Sequence, residues 1–143
     1  MTTNIIITPT FNDWQSLSRL INEINTKSKK VKGTFKIIII NDCSTSKKIF
    51  FKKKYKNIKS IKILNLKKNL GSQKAILIGL KYIKKKKIKS IITVMDSDGE
   101  DDPNNIPKLI KLANQNQKSI ITTNRLKRTE PIFYKLLNSL RFI

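Results

Sequence analysis

Residues 35–41 read Phe-Lys-Ile-Ile-Ile-Ile-Asn, with four isoleucines in succession. A strand apolar on both faces belongs inside a sheet covered on both sides, as parallel strands in α/β proteins are. Apolar runs of this kind alternate with amphipathic stretches along the chain, which argues for an α/β fold with a mostly parallel sheet. Asn4 to Thr8 reads as a first strand. Asp13 to about Lys27 reads as a helix, with Leu17, Leu20, Ile21 and Ile24 on one face. After the strand Phe35–Asn41, a helix is expected from near Thr45, then a strand from Ser60 to Leu66. Ser72 to Lys86 follows as a helix with Ala75, Ile76, Ile78, Gly79 and Ile83 inward. A strand from Ser90 to Met95, a helix from Pro103 to Asn114 and a short fifth strand from Ser119 to Thr123 complete the alternation. The helix keeps Ile106, Leu109, Ile110 and Ala113 on one side. Pro131 to Ile143 reads as an amphipathic helix carrying Ile132, Phe133, Leu136, Leu137 and Leu140. There is no internal repeat and no low-complexity linker.

A chain of 143 residues suffices for one domain with a sizeable core. The single cysteine, Cys43, excludes an internal disulfide framework and fits a reducing compartment. The N-terminus lacks the basic and apolar regions of a signal peptide, and no run reaches the length of a membrane span. A soluble, cytoplasmic chain is the expectation. Its formal charge is +22. Clustered Lys and Arg neutralise phosphates, but these lysines are spread along the whole chain. Solvated faces therefore come first, an anionic membrane surface or lipid acceptor second, and nucleic acid is disfavoured.

Against that charge, five of nine carboxylates fall within seven residues: Asp96, Asp98, Glu100, Asp101 and Asp102. Two like charges about 5 Å apart repel by roughly 3 kcal/mol at an effective dielectric near 20. Lysines could offset the crowding in a solvated acidic loop. A metal is the sharper reading, because the apolar run Ile91 to Met95 ends in Asp96-Ser97-Asp98. A buried strand ending there presents its carboxylates at the carboxyl edge of a sheet, where open α/β folds bind ligands. Hard oxygen ligands suit Mg²⁺ or Mn²⁺. An EF-hand does not fit, since Gly99 is at the fourth position of the loop rather than the sixth. A phosphoaspartyl phosphatase fits poorly, with its Asp-x-Asp expected earlier in the chain and Thr or Val expected where Glu100 stands.

Three other strand ends carry polar residues. In Thr8-Pro9-Thr10-Phe11-Asn12-Asp13, Phe11 could stack on a base and Asp13 accept from it, or Asp13 could cap the next helix. In Asn41-Asp42-Cys43-Ser44-Thr45, Asp42 could meet a base or ribose, or Asp42 or Ser44 could cap. Asn69-Leu70-Gly71-Ser72 either aims helix amides at a phosphate or is a plain glycine turn. It has neither a P-loop lysine nor G-x-G-x-x-G.

Taken in order and spacing, Pro9 to Asp13, Asn41 to Thr45, Asn69 to Gly71, and Asp96-Ser97-Asp98 before Pro103 resemble the nucleotide-sugar-binding half of glycosyltransferase family 2, with the GT-A fold. The likeness is greatest to the dolichol-phosphate and polyprenyl-phosphate sugar transferases and runs from about Asn4 to Arg128. It implies a three-layer, Rossmann-like domain over residues 1–128, with 129–143 beginning a C-terminal part and the acceptor half missing. It also implies roles. Pro9, Phe11 and Asp13 would line the base pocket, Phe11 replacing the more usual Tyr. Ile40 and Asp42 would hold base and ribose. Asp96, Ser97 and Asp98 match the Asp-x-Asp motif, with Asp98 ligating Mg²⁺ or Mn²⁺ and Asp96 contacting ribose or metal. Arg125 matches a basic residue near the diphosphate or sugar.

The resemblance thus implies metal-dependent, inverting transfer from a GDP- or UDP-linked sugar to a lipid phosphate, in cell-wall or glycolipid synthesis at the cytoplasmic face of a membrane. Two positions depart from the pattern. Asn41 replaces the first Asp of the family's Asp-Asp-Gly-Ser, and Cys43 replaces its Gly, which tolerates a positive φ that Cys resists. A basic binding module without catalysis, or a chain that binds donor without turnover, remains the alternative.

Overall fold

A computed structural model of the chain describes residues 3–27, 29, 31, 33–48, 51, 54–116 and 119–123. Strand β1 (Thr3–Thr10), helix α1 (Trp14–Lys27), strands β2 (Thr34–Asn41) and β3 (Ile58–Asn65), helix α2 (Ser72–Lys85) and strand β4 (Ile92–Val94) follow one another. A 3-10 turn (Pro103–Asn105) then leads into helix α3 (Ile106–Gln115). The four strands pair in parallel in the order β3-β2-β1-β4. The chain winds outward from β1 through β2 to β3, then returns to place β4 on β1's other side. The reversal between β1 and β4 is the topological switch point where such sheets open a crevice.

Both faces of the sheet are covered, which is why β2 is apolar at successive positions. On one face Ile6, Phe35, Ile37 and Ile39 pack with Trp14, Leu17, Leu20, Ile21 and Ile24 of α1 and Ile106 and Ile110 of α3. On the other, Ile5, Ile7, Ile38 and Ile40 pack with Ala75 and Ile83 of α2. Gly79 lets α2 sit close there. A Cβ at that position would come within 3.1 Å of Ile7 and Ile40 side-chain carbons. The expected three-layer α/β architecture is therefore present in the described residues.

Several expected elements differ. No helix occupies residues 45–48, where the amides of Thr45 and Ser46 donate to Asn12 Oδ1 at 2.7 and 2.9 Å and tie this segment to the end of β1. β3 starts earlier than expected, and β4 is reduced to three residues. Residues 119–123 form no strand. Ile120 is 93% exposed, and no described strand pairs with the outer edge of β4, whose Ile92 and Val94 are partly exposed. An apolar pattern does not by itself supply a ladder partner. The expected helix from Pro131 to Ile143 lies outside the described residues. Among the described residues no helix is long and apolar enough to cross a membrane.

Candidate functional site

The carboxyl ends of β1, β2 and β4 meet around a cleft of about 290 Å³ lined by Pro9, Thr10, Phe11, Asp13, Asp42, Ser72, Asp96, Ser97 and Asp98. Its position follows from the register. β1 pairs with β2 out to Thr10–Asn41 and with β4 out to Ile7–Val94, so Pro9 to Phe11, Asp42 and Asp96 to Asp98 leave the sheet side by side. The Ser97 hydroxyl donates to the Pro9 carbonyl at 3.0 Å and ties the β4 end to the β1 end.

Asp42, 3% exposed, accepts the Leu70 and Gly71 amides at 2.8 Å each, one on either carboxylate oxygen. The capping expectation for Asp42 is thus corrected: no helix starts among the described residues 43–48, and Asp42 clamps the turn before α2. The Leu70 and Gly71 amides are thereby engaged by Asp42 rather than presented to a phosphate. Gly71 has φ 84, which explains a glycine at this turn. Asp13 does cap, accepting the Ser16 amide at 3.0 Å at the start of α1, while it also borders the cleft.

The first two loops are locked together by Asn12, at φ 57. Its side chain takes the Thr45 and Ser46 amides, and its own amide donates to Ser44 Oγ at 2.9 Å. Asn41 accepts the Ser44 amide at 3.0 Å and donates to Asn65 Oδ1 at 2.9 Å, a pair of roles that an aspartate could not fill. Cys43 adopts the left-handed conformation the glycine pattern requires, φ 63, so the turn survives the substitution under strain.

Within the acidic loop the carboxylates divide their tasks. Asp101 Oδ2 accepts the Asp96 amide at 2.8 Å, and Asp98 Oδ1 accepts the Glu100 amide at 3.0 Å. Asp102 caps the 3-10 turn through the Asn104 amide at 2.9 Å and lies 3.7 Å from Lys27. The Asn104 backbone amide holds the Asp102 carboxyl below the ordinary value, against an opposing effect of burial and with smaller help from the Asn104 side chain and Lys27. Asp101 and Asp102 thereby shape the loop, while Asp96 and Asp98 line the cleft.

Ile40 does not line the cleft: its side chain is fully buried beneath Gly79, so only its backbone is near the strand end. Alternation along β2 carried that signal, since Ile40 shares a face with Ile38. Arg125 lies outside the described residues. Thr10 and Ser72 line the cleft without having been anticipated. Ser72 could have been found as the first residue of the helix beyond the Gly71 turn. A larger cavity, about 900 Å³, opens at the opposite edge among Asn4, Lys36, Ile91 and Ile110, and no carboxylate lines it.

Among the described residues no three Asp, Glu, His or Cys side chains converge as a self-sufficient metal cage. Mg²⁺, however, is commonly held by one or two carboxylates plus substrate phosphates. Asp96 and Asp98 on one cleft wall fit that mode, with hard oxygens only.

Fold and cleft together define an open α/β domain with a polar cleft at its switch point. The chain belongs to glycosyl transferase family 2, matching the family over residues 5–141. It is 25% identical over 132 residues to an undecaprenyl-phosphate 4-deoxy-4-formamido-L-arabinose transferase of Photorhabdus laumondii, covering 91% of this chain and 39% of the relative. It is 22% identical over 136 residues to a dodecaprenyl-phosphate galacturonate synthase of Rhizobium johnstonii, covering 94% and 39%. The fold is similar to that of S. aureus TarS 1-349, with a TM-score of 0.60 and 20% identity over 90% of this chain and 40% of that one. The same TarS fragment solved with UDP-GlcNAc aligns at a TM-score of 0.57 and 16% identity, covering 90% and 39%. The chain thus spans about two fifths of the length of these relatives.

Proposed function

We propose that this chain is the donor-binding part of a metal-dependent, inverting glycosyltransferase that moves a sugar from a nucleoside-diphosphate sugar to a polyprenyl phosphate at the cytoplasmic face of a membrane. The observation that carries the proposal is the convergence of Phe11, Asp13, Asp42, Asp96, Ser97 and Asp98 from three strand ends on one cleft. The names of the polyprenyl-phosphate relatives support the acceptor, and the UDP-GlcNAc complex of TarS supports the kind of donor.

Phe11, 47% exposed at the cleft, offers its ring as a stacking surface for the base. Asp13 and Asp42 offer carboxylate oxygens to base N–H and ribose hydroxyl groups, and Asp42 is already oriented by its two amide partners. Asp98, with Asp96, would hold a divalent cation together with the donor's phosphates. That cation would act as a Lewis acid on the diphosphate. Arg125 would add a fixed positive charge at the leaving group.

In the transfer, an acceptor phosphate oxygen forms a bond to the anomeric carbon as its bond to the diphosphate oxygen breaks on the opposite face. The electron pair departs with the nucleoside diphosphate. An ionised lipid phosphate needs no proton removed, so no general base is required. This agrees with Asp101 and Asp102 being engaged in the loop.

Calorimetric titration of UDP and GDP, each with and without Mn²⁺, tests the reading. One nucleotide is expected to bind with Mn²⁺ dependence, and Asp98→Asn to abolish that dependence while leaving the fold intact. Retention of Mn²⁺-dependent affinity by the variant would remove the metal assignment. Absence of binding of either nucleotide by the parent would remove the donor role.

A further inference from the structure

Between Cys43 and Met95 the sequence holds seventeen lysines and no carboxylate. The fold turns this bias into a directional surface. Helix α2 buries Ala75, Gly79 and Ile83 against the sheet and exposes Gln73, Lys74, Leu77, Lys81, Lys84 and Lys85. At 100° per residue these exposed positions fall within one third of the helix circumference. Beside them Lys62 of β3 reaches over the Tyr82 ring at 5.1 Å from its centroid. The opposite layer is mixed: Lys27 of α1 bridges Glu23 and Asp102 at 3.1 and 3.7 Å, and α3 exposes Lys108 and Lys111.

Helix stability accounts for only part of this surface. Lys84 and Lys85 in the last turn suit the helix dipole, but Lys74 in the first turn opposes it, and no acidic residue is there to compensate. Nor is the face purely polar. Leu77, 49% exposed, sits amid the lysines, so the face offers one apolar side chain beside its charges, which suits a bilayer surface held chiefly by electrostatic attraction.

We infer that the exposed face of α2 is a docking surface for an anionic lipid bilayer. Ser72, the first residue of α2, also lines the cleft. A bilayer held along this helix, about 21 Å long by rise per residue, would therefore lie beside the cleft mouth. The orientation toward a lipid acceptor rests on the donor-binding reading. The docking itself does not.

The test compares two neutralised variants of the full chain with equal loss of charge. One carries Lys74→Gln, Lys81→Gln, Lys84→Gln and Lys85→Gln. The control carries Arg19→Gln, Lys29→Gln, Lys108→Gln and Lys111→Gln, all at exposed positions outside the α2 face. Partitioning onto phosphatidylcholine vesicles with and without phosphatidylglycerol is measured by co-sedimentation, with circular dichroism to confirm folding. Each lysine near an anionic surface contributes about fivefold, so the α2 variant should lose roughly a hundredfold or more of its partitioning. The control should lose less than the α2 variant by an order of magnitude, and Leu77→Ala should cost several-fold.

Equal losses in both variants, or indifference to phosphatidylglycerol, would overturn the assignment. So would duplex DNA displacing the protein from vesicles through the α2 lysines. Nucleotide titration of the same proteins separates the two proposals. A parent that binds vesicles through α2 but no nucleotide keeps the docking surface and loses the donor role, and the reverse pattern does the opposite.

Discussion

The two faces of the central sheet are built for different ends. The face under α1 and α3 holds the larger core, with Trp14, Leu17, Ile21, Ile24, Phe35 and Ile106 among its buried side chains, and its outer surface carries the Glu23–Lys27–Asp102 ion pairs. The face under α2 holds a smaller core around Ile5, Ile7, Ile38 and Ile40, closed by Ala75, Gly79 and Ile83, and its exterior is lysine with no carboxylate. A fully buried aliphatic side chain contributes about 1.5–3 kcal/mol, so the difference in core size places most of the burial energy on the first face. The second face carries a lysine pattern of which only Lys84 and Lys85, in the last turn, suit the helix dipole, while like charges on one helix repel. The α2 lysines are thus a surface feature that the core beneath them does not require.

The most forceful way to break this comparison is to remove an equivalent amount of core from each face. Leu17→Ala, at a site with no exposure beneath α1, should cost about 4 kcal/mol in urea unfolding. Ile83→Ala, within the smaller core under α2, should cost about 2–3 kcal/mol, because fewer buried side chains surround it. Equal costs would mean that the faces contribute alike.

Next in size is the tie between the α2 layer and the cleft. Asp42→Ala leaves the Leu70 and Gly71 amides without their acceptor and should cost about 2–3 kcal/mol. Hydrogen exchange should show the loss concentrated at residues 69–72, with α1 unaffected. If exchange accelerates evenly over both layers, Asp42 is not a local clamp.

Much of this architecture was legible in the chain, and the reasons differ by element. β2 and α1 were clear because four isoleucines and a regular apolar face admit few alternatives. The cleft was legible because polar residues end three apolar runs at corresponding points. Residues 45–48 carry no helix, and the tie that holds them, to Asn12 at a distance of 33 and 34 residues, is invisible to local pattern. The second role of Asp42 was hidden for the same reason: its two amide partners are 28 and 29 residues further on. Ile40 was assigned to the site by position in a motif, although strand alternation directs its side chain into the core. The expected strand at Ser119 to Thr123 failed because an apolar pattern says nothing about whether a neighbouring edge takes it up.

Cys43 gives a smaller effect with the opposite sign. A non-glycine residue at φ 63 costs about 1–2 kcal/mol, and glycine would return about 0.5–1 kcal/mol of that through greater freedom of the unfolded chain. Cys43→Gly should therefore stabilise by roughly 0.5–1 kcal/mol. A rise in thermal midpoint with no change in nucleotide affinity is the expected result. A fall would mean that the thiol packs usefully in this turn.

The smallest effect, and the finest test of the mixed face, is the pH dependence of Asp102. Its carboxyl is held below the ordinary value of 3.8, first by the Asn104 backbone amide, with smaller contributions from the Asn104 side chain and Lys27. A depressed folded value means that the stabilisation is present above 3.8 and is lost as pH falls through the folded value. Lys27 behaves in the opposite sense. Its pKa is raised above 10.5, chiefly by the hydrogen bond to Glu23, so its contribution is present below 10.5 and is lost as pH rises through the raised value. Both groups are exposed enough for solvent to screen them, so the differences will be slight. Asp102→Asn keeps a good capping side chain but removes the charge. Relative to this variant, the parent should lose stability more steeply from about pH 5 to below 3.8. The difference should shrink as salt is raised. Parallel curves would mean that the ion pairs of this face are incidental, and its stability would then rest on the core alone.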